Sequence, residues 1–196
     1  MNKVERVIVG PLHTNCYLAI KDKQAIIIDP GAAAEKIDAQ IARLKLTPLA
    51  IINTHGHWDH VMANNELKKL YNIPMYTPLQ DKQMLELEKN YFHIGELLVD
   101  CWYTEKLDGL NWPIKVLPTP GHSPGSSCLL WDGELFSGDT MFAGGYLGRT
   151  DLWGGDAQAM QDSLTKLLRL PDDTTVWPGH EESSTIGAER RHYDQK

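Results

Sequence analysis

The motif Thr54-His55-Gly56-His57-Trp58-Asp59-His60 constrains the fold of this chain more than any other feature of the sequence. It directly follows residues 49–52, a short apolar run that has the character of a buried strand. Three imidazoles and one carboxylate therefore lie within six positions, where a strand ends and a loop begins. Because functional side chains are commonly carried by loops on a rigid scaffold, we expect a site at this strand end.

Three later stretches repeat the arrangement: residues 120–125 (PGHSPG), 137–140 (SGDT) and 177–180 (WPGH). Each follows a strand-like run and opens a loop. Five of the eight histidines lie in the four stretches, a concentration that favours a metal site over ordinary core or surface histidines. The four stretches supply seven candidate metal ligands: His55, His57, Asp59, His60, His122, Asp139 and His180.

The number of candidate ligands predicts a centre with two divalent metal ions. Seven imidazoles and carboxylates are too many for one tetrahedral zinc ion, but they suit two ions that share one carboxylate. A hydroxide between the two ions would then be the nucleophile. We expect zinc, with iron or manganese as alternatives, because this mixed ligand set suits all three. The predicted division is into a first ligand group, a second ligand group and a bridge: His55, His57 and His122; Asp59, His60 and His180; and Asp139.

Composition narrows the class of protein. The 19 basic and 26 acidic residues give a net charge of −7 without any basic run, which argues against nucleic-acid or anionic-membrane partners and favours a small-molecule substrate. Three widely spaced cysteines without a CxxC motif indicate a reducing compartment, and neither a signal peptide nor a long apolar span is present. We expect a cytoplasmic protein with one domain over residues 1–196, a monomer or small homo-oligomer.

Periodicity predicts an α/β chain. Alternating and apolar runs predict eight strands, and helical spacing predicts four helices. The layer rules favour two sheets sandwiched by helices over one doubly wound sheet. The predicted strands are residues 4–9, 15–20, 25–28, 49–52, 114–117, 126–131, 134–137 and 174–177, and the predicted helices are residues 32–44, 59–71, 79–90 and 157–168.

The four motif stretches, together with residues 28–31 (IDPG), resemble the metallo-β-lactamase superfamily through nearly the whole chain. The resemblance implies a four-layer αβ/βα sandwich of two mixed β-sheets flanked by helices. It also implies the same seven ligands that the count of imidazoles and carboxylates predicts. Within residues 28–31, Asp29 has two interpretations: it orients a ligand histidine, or it forms an Asx turn before Pro30.

Residues 136–156 and the tail 184–190 resemble, more narrowly, the glyoxalase II (hydroxyacylglutathione hydrolase) branch, in a short form without the C-terminal helical domain. This resemblance implies hydrolysis of a thioester of the S-D-lactoylglutathione type, with Asp59 and Asp139 as catalytic residues. Arg149 matches the basic residue that binds the glycine carboxylate of glutathione, or it is a structural arginine paired with Asp151 or Asp156. Tyr146 and Trp153 flank Arg149 and either line the substrate pocket or pack in the core.

Other activities of the same fold remain open at this stage. A persulfide dioxygenase would hold a single iron with His57 or His55, His122 and Asp139, and would leave the other ligand positions idle. Residues 152–156 (LWGGD) favour the hydrolase over this alternative. A lactonase would use the same hydroxide attack, and a metal-storing or metal-sensing protein would use none.

Overall fold

Residues 2–92 and 95–193 are described by the computed structural model of the chain, in which two mixed β-sheets pack face to face. The first sheet has six strands in chain order. Its first three strands are antiparallel, and the third to sixth are parallel. These strands are β1 (Lys3–Val9), β2 (Thr14–Lys21), β3 (Gln24–Ile28), β4 (Thr47–Ile52), β5 (Met75–Pro78) and β6 (Cys101–Tyr103).

The second sheet has five strands in the order β11-β10-β9-β8-β7. Only β9 and β10 are parallel neighbours, and the other pairs are antiparallel. Its strands are β7 (Lys115–Pro118), β8 (Ser127–Trp131), β9 (Glu134–Gly138), β10 (Thr175–Pro178) and β11 (Ser184–Thr185). The helices are α1 (Ala34–Leu44), α2 (Trp58–Val61), α3 (Asn64–Tyr71), α4 (Lys82–Phe92), α5 (Ala157–Leu167) and α6 (Ile186–Tyr193).

Strand β2 shows how the layers form, because both of its faces are buried. Side chains alternate between the two faces of a strand. Cys16 and Leu18 pack toward α1 and α3, whereas Tyr17 packs between the two sheets against Phe136 of β9. A third apolar cluster joins the outer face of the second sheet to α5 and α6. The predicted four-layer sandwich of two mixed sheets flanked by helices is confirmed.

Ten of the twelve predicted elements agree with the observed ones to within two residues; two predicted helices differ, and helix α6 and three short strands were not predicted. The single helix predicted over residues 59–71 is wrong: the Ala63 N–H donates to the Pro30 carbonyl at 3.0 Å, and the chain forms α2 and α3 instead. The helix predicted from residue 79 begins as a 3₁₀ turn, Leu79–Asp81, before α4. Strands β5 and β6 were not predicted, and neither was β11; each has two to four residues, too few to show a period.

Each of the four motif stretches begins where a strand ends, at β4, β7, β9 and β10. Strands β7 and β9 both run antiparallel to β8, and β10 runs parallel to β9, so the carboxyl ends of these three lie at the same edge of the second sheet. The Ser127 N–H donates to the Thr54 carbonyl at 2.9 Å, and this bond joins the loop after β4 to that edge. No described helix has the length and apolar character that a membrane span requires.

Candidate metal centre

The structure brings all seven predicted ligands together between the carboxyl ends of these strands. The ligand atoms of the first ligand group lie within 4.8 Å of one another, and those of the second ligand group do too. In the first group, His57 Nδ1 lies 2.8 Å from His122 Nε2. Both groups are largely buried; the side chain of His180, at 21%, is the most exposed of the ligands.

Asp139 lies between the two groups. Its Oδ2 atom is 3.5 Å from His122 Nε2 in the first group and 3.5 Å from His180 Nε2 in the second. Its Oδ1 atom is 3.4 Å from His60 Nε2. One carboxylate thus faces imidazoles of both groups, which is the position that a bridging ligand requires.

Four of the five imidazoles are oriented by their Nδ1 atoms. His122 and His180 donate Nδ1–H to the backbone carbonyls of Arg149 (2.8 Å) and Leu12 (3.1 Å), which can only accept. The His60 Nδ1 atom lies 3.1 Å from the carboxylate of Asp29. In each, the Nε2 atom faces the centre, as expected when a second partner fixes the orientation of a ligand.

His55 follows the same rule through Thr54. Its Nδ1 atom lies 3.1 Å from Thr54 Oγ1, and that hydroxyl donates to Asp29 at 2.6 Å. Asp29 also accepts the Thr54 N–H at 2.7 Å, so one carboxylate fixes the loop and orients His60. Of the two interpretations of Asp29, these contacts favour the one in which it orients a ligand histidine.

His57 has the opposite orientation, with Nδ1 toward the centre and Nε2 3.8 Å from Glu88 Oε1. Glu88 belongs to α4, and its other oxygen accepts the Trp58 N–H at 2.6 Å, at the first residue of α2. Burial raises the pKa of Glu88 to about 7. Glu88 therefore joins α4 to the helix that carries Asp59 and His60.

Three buried polar atoms of the centre have no hydrogen-bond partner: His55 Nε2, His60 Nε2 and Asp139 Oδ1. Buried polar atoms are nearly always satisfied, and leaving one unpaired costs about 1–3 kcal/mol. All three belong to candidate metal ligands, and the ligand atoms of the other candidates lie close to them. The residues present therefore fit two divalent cations, and cations would satisfy these three atoms.

The two ligand groups differ in their titration. Burial, with the neighbouring His122 imidazole, lowers the pKa of His57 to about 4. Burial alone would lower the pKa of His60, but the carboxylates of Asp139 and Asp59 outweigh it and raise the pKa to about 9. In the same way, these carboxylates raise the pKa of His180 to about 10. At neutral pH His57 is neutral, whereas the two histidines of the second group hold protons where a cation would bind.

The same charges act on Asp139. Burial alone would raise the pKa of its carboxyl, but the charge of His60 and the hydrogen bond to His180 hold the pKa well below its usual range. Gly179 allows the two loops to approach this closely, because a Cβ atom at that position would overlap the Asp139 carboxylate and the His60 ring.

Asp81 holds two ligand loops together and was not predicted from the sequence. Its Oδ2 atom accepts the Gly56 N–H at 2.8 Å and the Ser123 hydroxyl at 2.9 Å, and its Oδ1 atom accepts the Gly125 N–H at 2.6 Å. It therefore links the loop of His55 and His57 to the loop of His122. A single aspartate at the start of a polar helix gives no sequence signal for this role.

Thr14 is a second residue of the site that was not predicted from the sequence. Its hydroxyl donates to Asp59 Oδ2 at 3.0 Å.

A cleft of about 890 Å³ opens above the centre. Arg149 and Trp153 line it, whereas Tyr146 does not belong to its lining. Arg149 forms two parallel bonds with Asp151, from Nε at 2.7 Å and from Nη2 at 2.8 Å. Of the two aspartates named from the sequence as structural partners of Arg149, Asp151 is the one it binds. Asp156 instead caps α5 by accepting two backbone N–H bonds.

Comparison with known proteins places this geometry in a family. Residues 9–180 match the family model described as metallo-beta-lactamase superfamily. The hydroxyacylglutathione hydrolase GloC of Haemophilus influenzae is 36% identical over 204 residues, which cover 96% of this chain and 95% of that protein.

Two solved structures superpose on nearly the whole chain. The crystal structure of the B3 metallo-beta-lactamase BLEG-1 gives a TM-score of 0.86 at 35% identity and covers 97% of both chains. The crystal structure of TTHA1623 in a di-iron-bound form gives a TM-score of 0.84 at 36% identity, over 96% of this chain and 98% of that one. With its sandwich fold, its His and Asp cluster and these matches, the chain belongs to the metallo-β-lactamase superfamily of metallo-hydrolases.

Proposed function

We propose that the protein is a hydrolase that requires two divalent metal ions and cleaves thioesters, with S-D-lactoylglutathione as the representative substrate. The observation that carries the proposal is the position of Asp139, within 3.5 Å of imidazoles from both ligand groups. The ions would be held by His55, His57 and His122, by Asp59, His60 and His180, and by Asp139 between them.

When bound, divalent ions lower the pKa of water and polarise a carbonyl oxygen, which is the chemistry that a thioester needs at neutral pH. The side chains of the protein position the attacking water. Asp59 lines the cleft, and Thr14 fixes one of its oxygens. Its carboxylate can therefore accept a hydrogen bond from the attacking water and orient it toward the substrate carbonyl. The buried histidines and Asp81 hold this arrangement rigid, as electrostatic catalysis requires.

A thioester substrate is supported by sequence likeness to one branch of the family. Residues 136–156, which include Asp139, have the pattern of the hydroxyacylglutathione hydrolase branch, and GloC is similar to the chain over nearly its full length. The acidic composition supports a small-molecule substrate over a nucleic acid or a membrane. We propose a cytoplasmic location on the same composition and on the three free cysteines.

The second candidate is β-lactam hydrolysis, favoured by the structural likeness to BLEG-1. Lactone hydrolysis would proceed by the same attack. A dioxygenase with one iron has less support, because such an enzyme would leave the second ligand group idle. In this chain that group is fully assembled, with His180 Nε2 3.3 Å from Asp59 Oδ2.

The test is metal quantitation of the purified full chain, together with turnover assays on four substrates. These substrates are S-D-lactoylglutathione, a cephalosporin, a γ-lactone and glutathione persulfide, the last with oxygen uptake as its readout. We expect two metal ions per chain and fastest turnover of the thioester. One iron per chain with oxygen uptake, or two ions without thioester cleavage, would contradict the proposal.

A further inference from the structure

The cleft above the metal centre has a polar floor and an apolar rim. The floor is formed by His57, Asp59, His122, Asp139 and His180. A hydroxyacyl group is small, so a cleft of about 890 Å³ leaves most of its volume for the other half of the substrate. The rim therefore meets the thiol half of a thioester.

Exposed apolar side chains from two segments of the chain form this rim. Helix α4 contributes Leu87 and Tyr91, which are 48% and 79% exposed, and the loop before α5 contributes Leu152 and Trp153, which are 40% and 47% exposed. Large apolar side chains that remain exposed together around a pocket mark a binding surface more often than a scattered few do. Trp58 stacks on Phe92 at 5.0 Å and supports the α4 side of the cleft.

The charges of the rim do not suit an anionic ligand. Glu181 contributes an exposed carboxyl group to it, and Glu88 lies deeper in the cleft, beside His57. Among the described residues, Arg149 is the only arginine or lysine in the lining, and Asp151 already accepts two of its N–H groups, from Nε and Nη2. Glutathione carries two carboxylates and one ammonium group. Its two carboxylates would therefore meet the Glu181 carboxyl group and a single arginine that already binds Asp151.

We propose that the cleft selects thioesters whose thiol half is uncharged and apolar, so that glutathione is not the preferred thiol. This inference rests on the proposed thioester hydrolysis and names the substrate class within it. The thioester carbonyl lies at the floor, and the thiol substituent packs between Leu87 and Trp153. The reaction converts one thioester and one water into a carboxylate, a thiol and a proton: a carbon–oxygen bond forms at the acyl carbon and the carbon–sulfur bond breaks.

The test compares two substrates that share one acyl group, using the full chain loaded with its metal. S-D-lactoylglutathione and the benzyl thioester of D-lactate both release an alkyl thiol, so their intrinsic reactivity is similar. We expect kcat/KM to be at least tenfold higher for the benzyl thioester, mainly through a lower KM. A tenfold preference equals 1.4 kcal/mol, which about 55 Å² of apolar contact supplies.

Variants of the rim test whether its side chains cause the preference for the benzyl thioester. Leu87→Ala and Trp153→Ala should each bring the ratio of the two kcat/KM values closer to one. Leu70→Ala is the matched control, because Leu70 is an exposed leucine of α3 that lies outside the cleft, and its substitution should leave the ratio unchanged. A ratio that neither rim variant alters would overturn the assignment to this rim.

Failure of the inference and failure of the proposed function give different results. Faster turnover of S-D-lactoylglutathione, lost tenfold or more in Arg149→Gln, would overturn the apolar selectivity while thioester hydrolysis stands. No hydrolysis of either thioester by protein with two bound ions would overturn the proposed function and this inference together.

Discussion

The metal centre and the rim of the cleft above it are built in opposite ways. In the centre His60 is fully buried, and its Nδ1 atom is fixed by Asp29. On the rim Tyr91 is 79% exposed, and Arg149 is held only by an exposed ion pair. Exposed pairs contribute about 0–1 kcal/mol, whereas a buried polar group that loses its partner costs about 1–3 kcal/mol.

This difference separates the chemistry from the choice of substrate. The centre holds each imidazole through a second contact, so few substitutions there are compatible with metal binding. The apolar rim side chains Leu87, Tyr91, Leu152 and Trp153 are exposed, so they can change without altering the centre. Relatives that share this fold and have different names, such as GloC and BLEG-1, are consistent with this separation. We expect substitutions in the centre to have large effects and substitutions on the rim to have selective ones.

The largest effect is expected from Asp139→Asn, which removes a negative charge between the two ligand groups with little change of shape. We expect loss of the second metal ion and at least a ~100-fold loss of turnover, at the upper end of the effects seen when a ligand environment is damaged. Metal quantitation and a thioester assay check this result. Asp162→Asn, an exposed aspartate of α5, is the matched control. Two ions retained in Asp139→Asn would rule out the bridging role.

The next effect is a dependence of metal affinity on pH that differs between the two ligand groups. The pKa values of about 9 for His60 and about 10 for His180 mean that a cation must displace protons from the second group at neutral pH. Two protons are displaced, so affinity at that group should rise about 50- to 100-fold per pH unit between pH 7 and 9. The pKa of His57 is lowered to about 4, so affinity at the first group should hardly change over this range.

Calorimetric titration of the metal-free protein at several pH values measures this difference and the protons released. The His60→Gln variant is the control, since it should lose part of the pH dependence at the second group only. Equal pH dependence at both groups would contradict the contrast between a neutral and a protonated group.

A smaller effect is expected from Asp81→Ala, which touches no metal ligand atom. It removes the acceptor of the Gly56 and Gly125 N–H groups, and the loops that carry His57 and His122 lose their link. We expect a 10- to 100-fold loss of metal affinity. Competition with a chelator measures the metal affinity. Denaturant unfolding of the metal-free variant shows how much of the loss comes from a less stable fold. Metal affinity equal to that of the wild type would exclude the positioning role.

The smallest effect on the metal centre is expected from Trp153→Ala on the rim. The side chain is 47% exposed, so losing its buried half should lower the free energy of unfolding by about 1–3 kcal/mol without disturbing the ligands. Metal content should stay the same, while the preference between thioesters falls. Urea unfolding and metal quantitation measure both quantities. A loss of bound metal in Trp153→Ala would show that rim and centre are not independent.

Most of the fold could be predicted because its strands carry a strong local signal. Strand β2 alternates between two buried faces, and residues 49–52 of β4 are all apolar, so both could be located from their residues alone. Strands β5 and β6 could not, because four and three residues are too few to define a period. The break between α2 and α3 was also missed, since it depends on a bond from Ala63 to Pro30 on a distant loop.

The sequence by itself determined which residues could hold metal, because His55, His57, Asp59 and His60 stand in one short motif and imidazoles and carboxylates have few other reasons to cluster. Only the tertiary structure decided how they are oriented and what surrounds them. Asp81 acts through loops 25 and 44 residues away, and the rim combines a helix with a loop some 60 residues further along the chain. Ligand identity is a property of residue type, whereas orientation, pairing and cleft shape depend on contacts between distant segments.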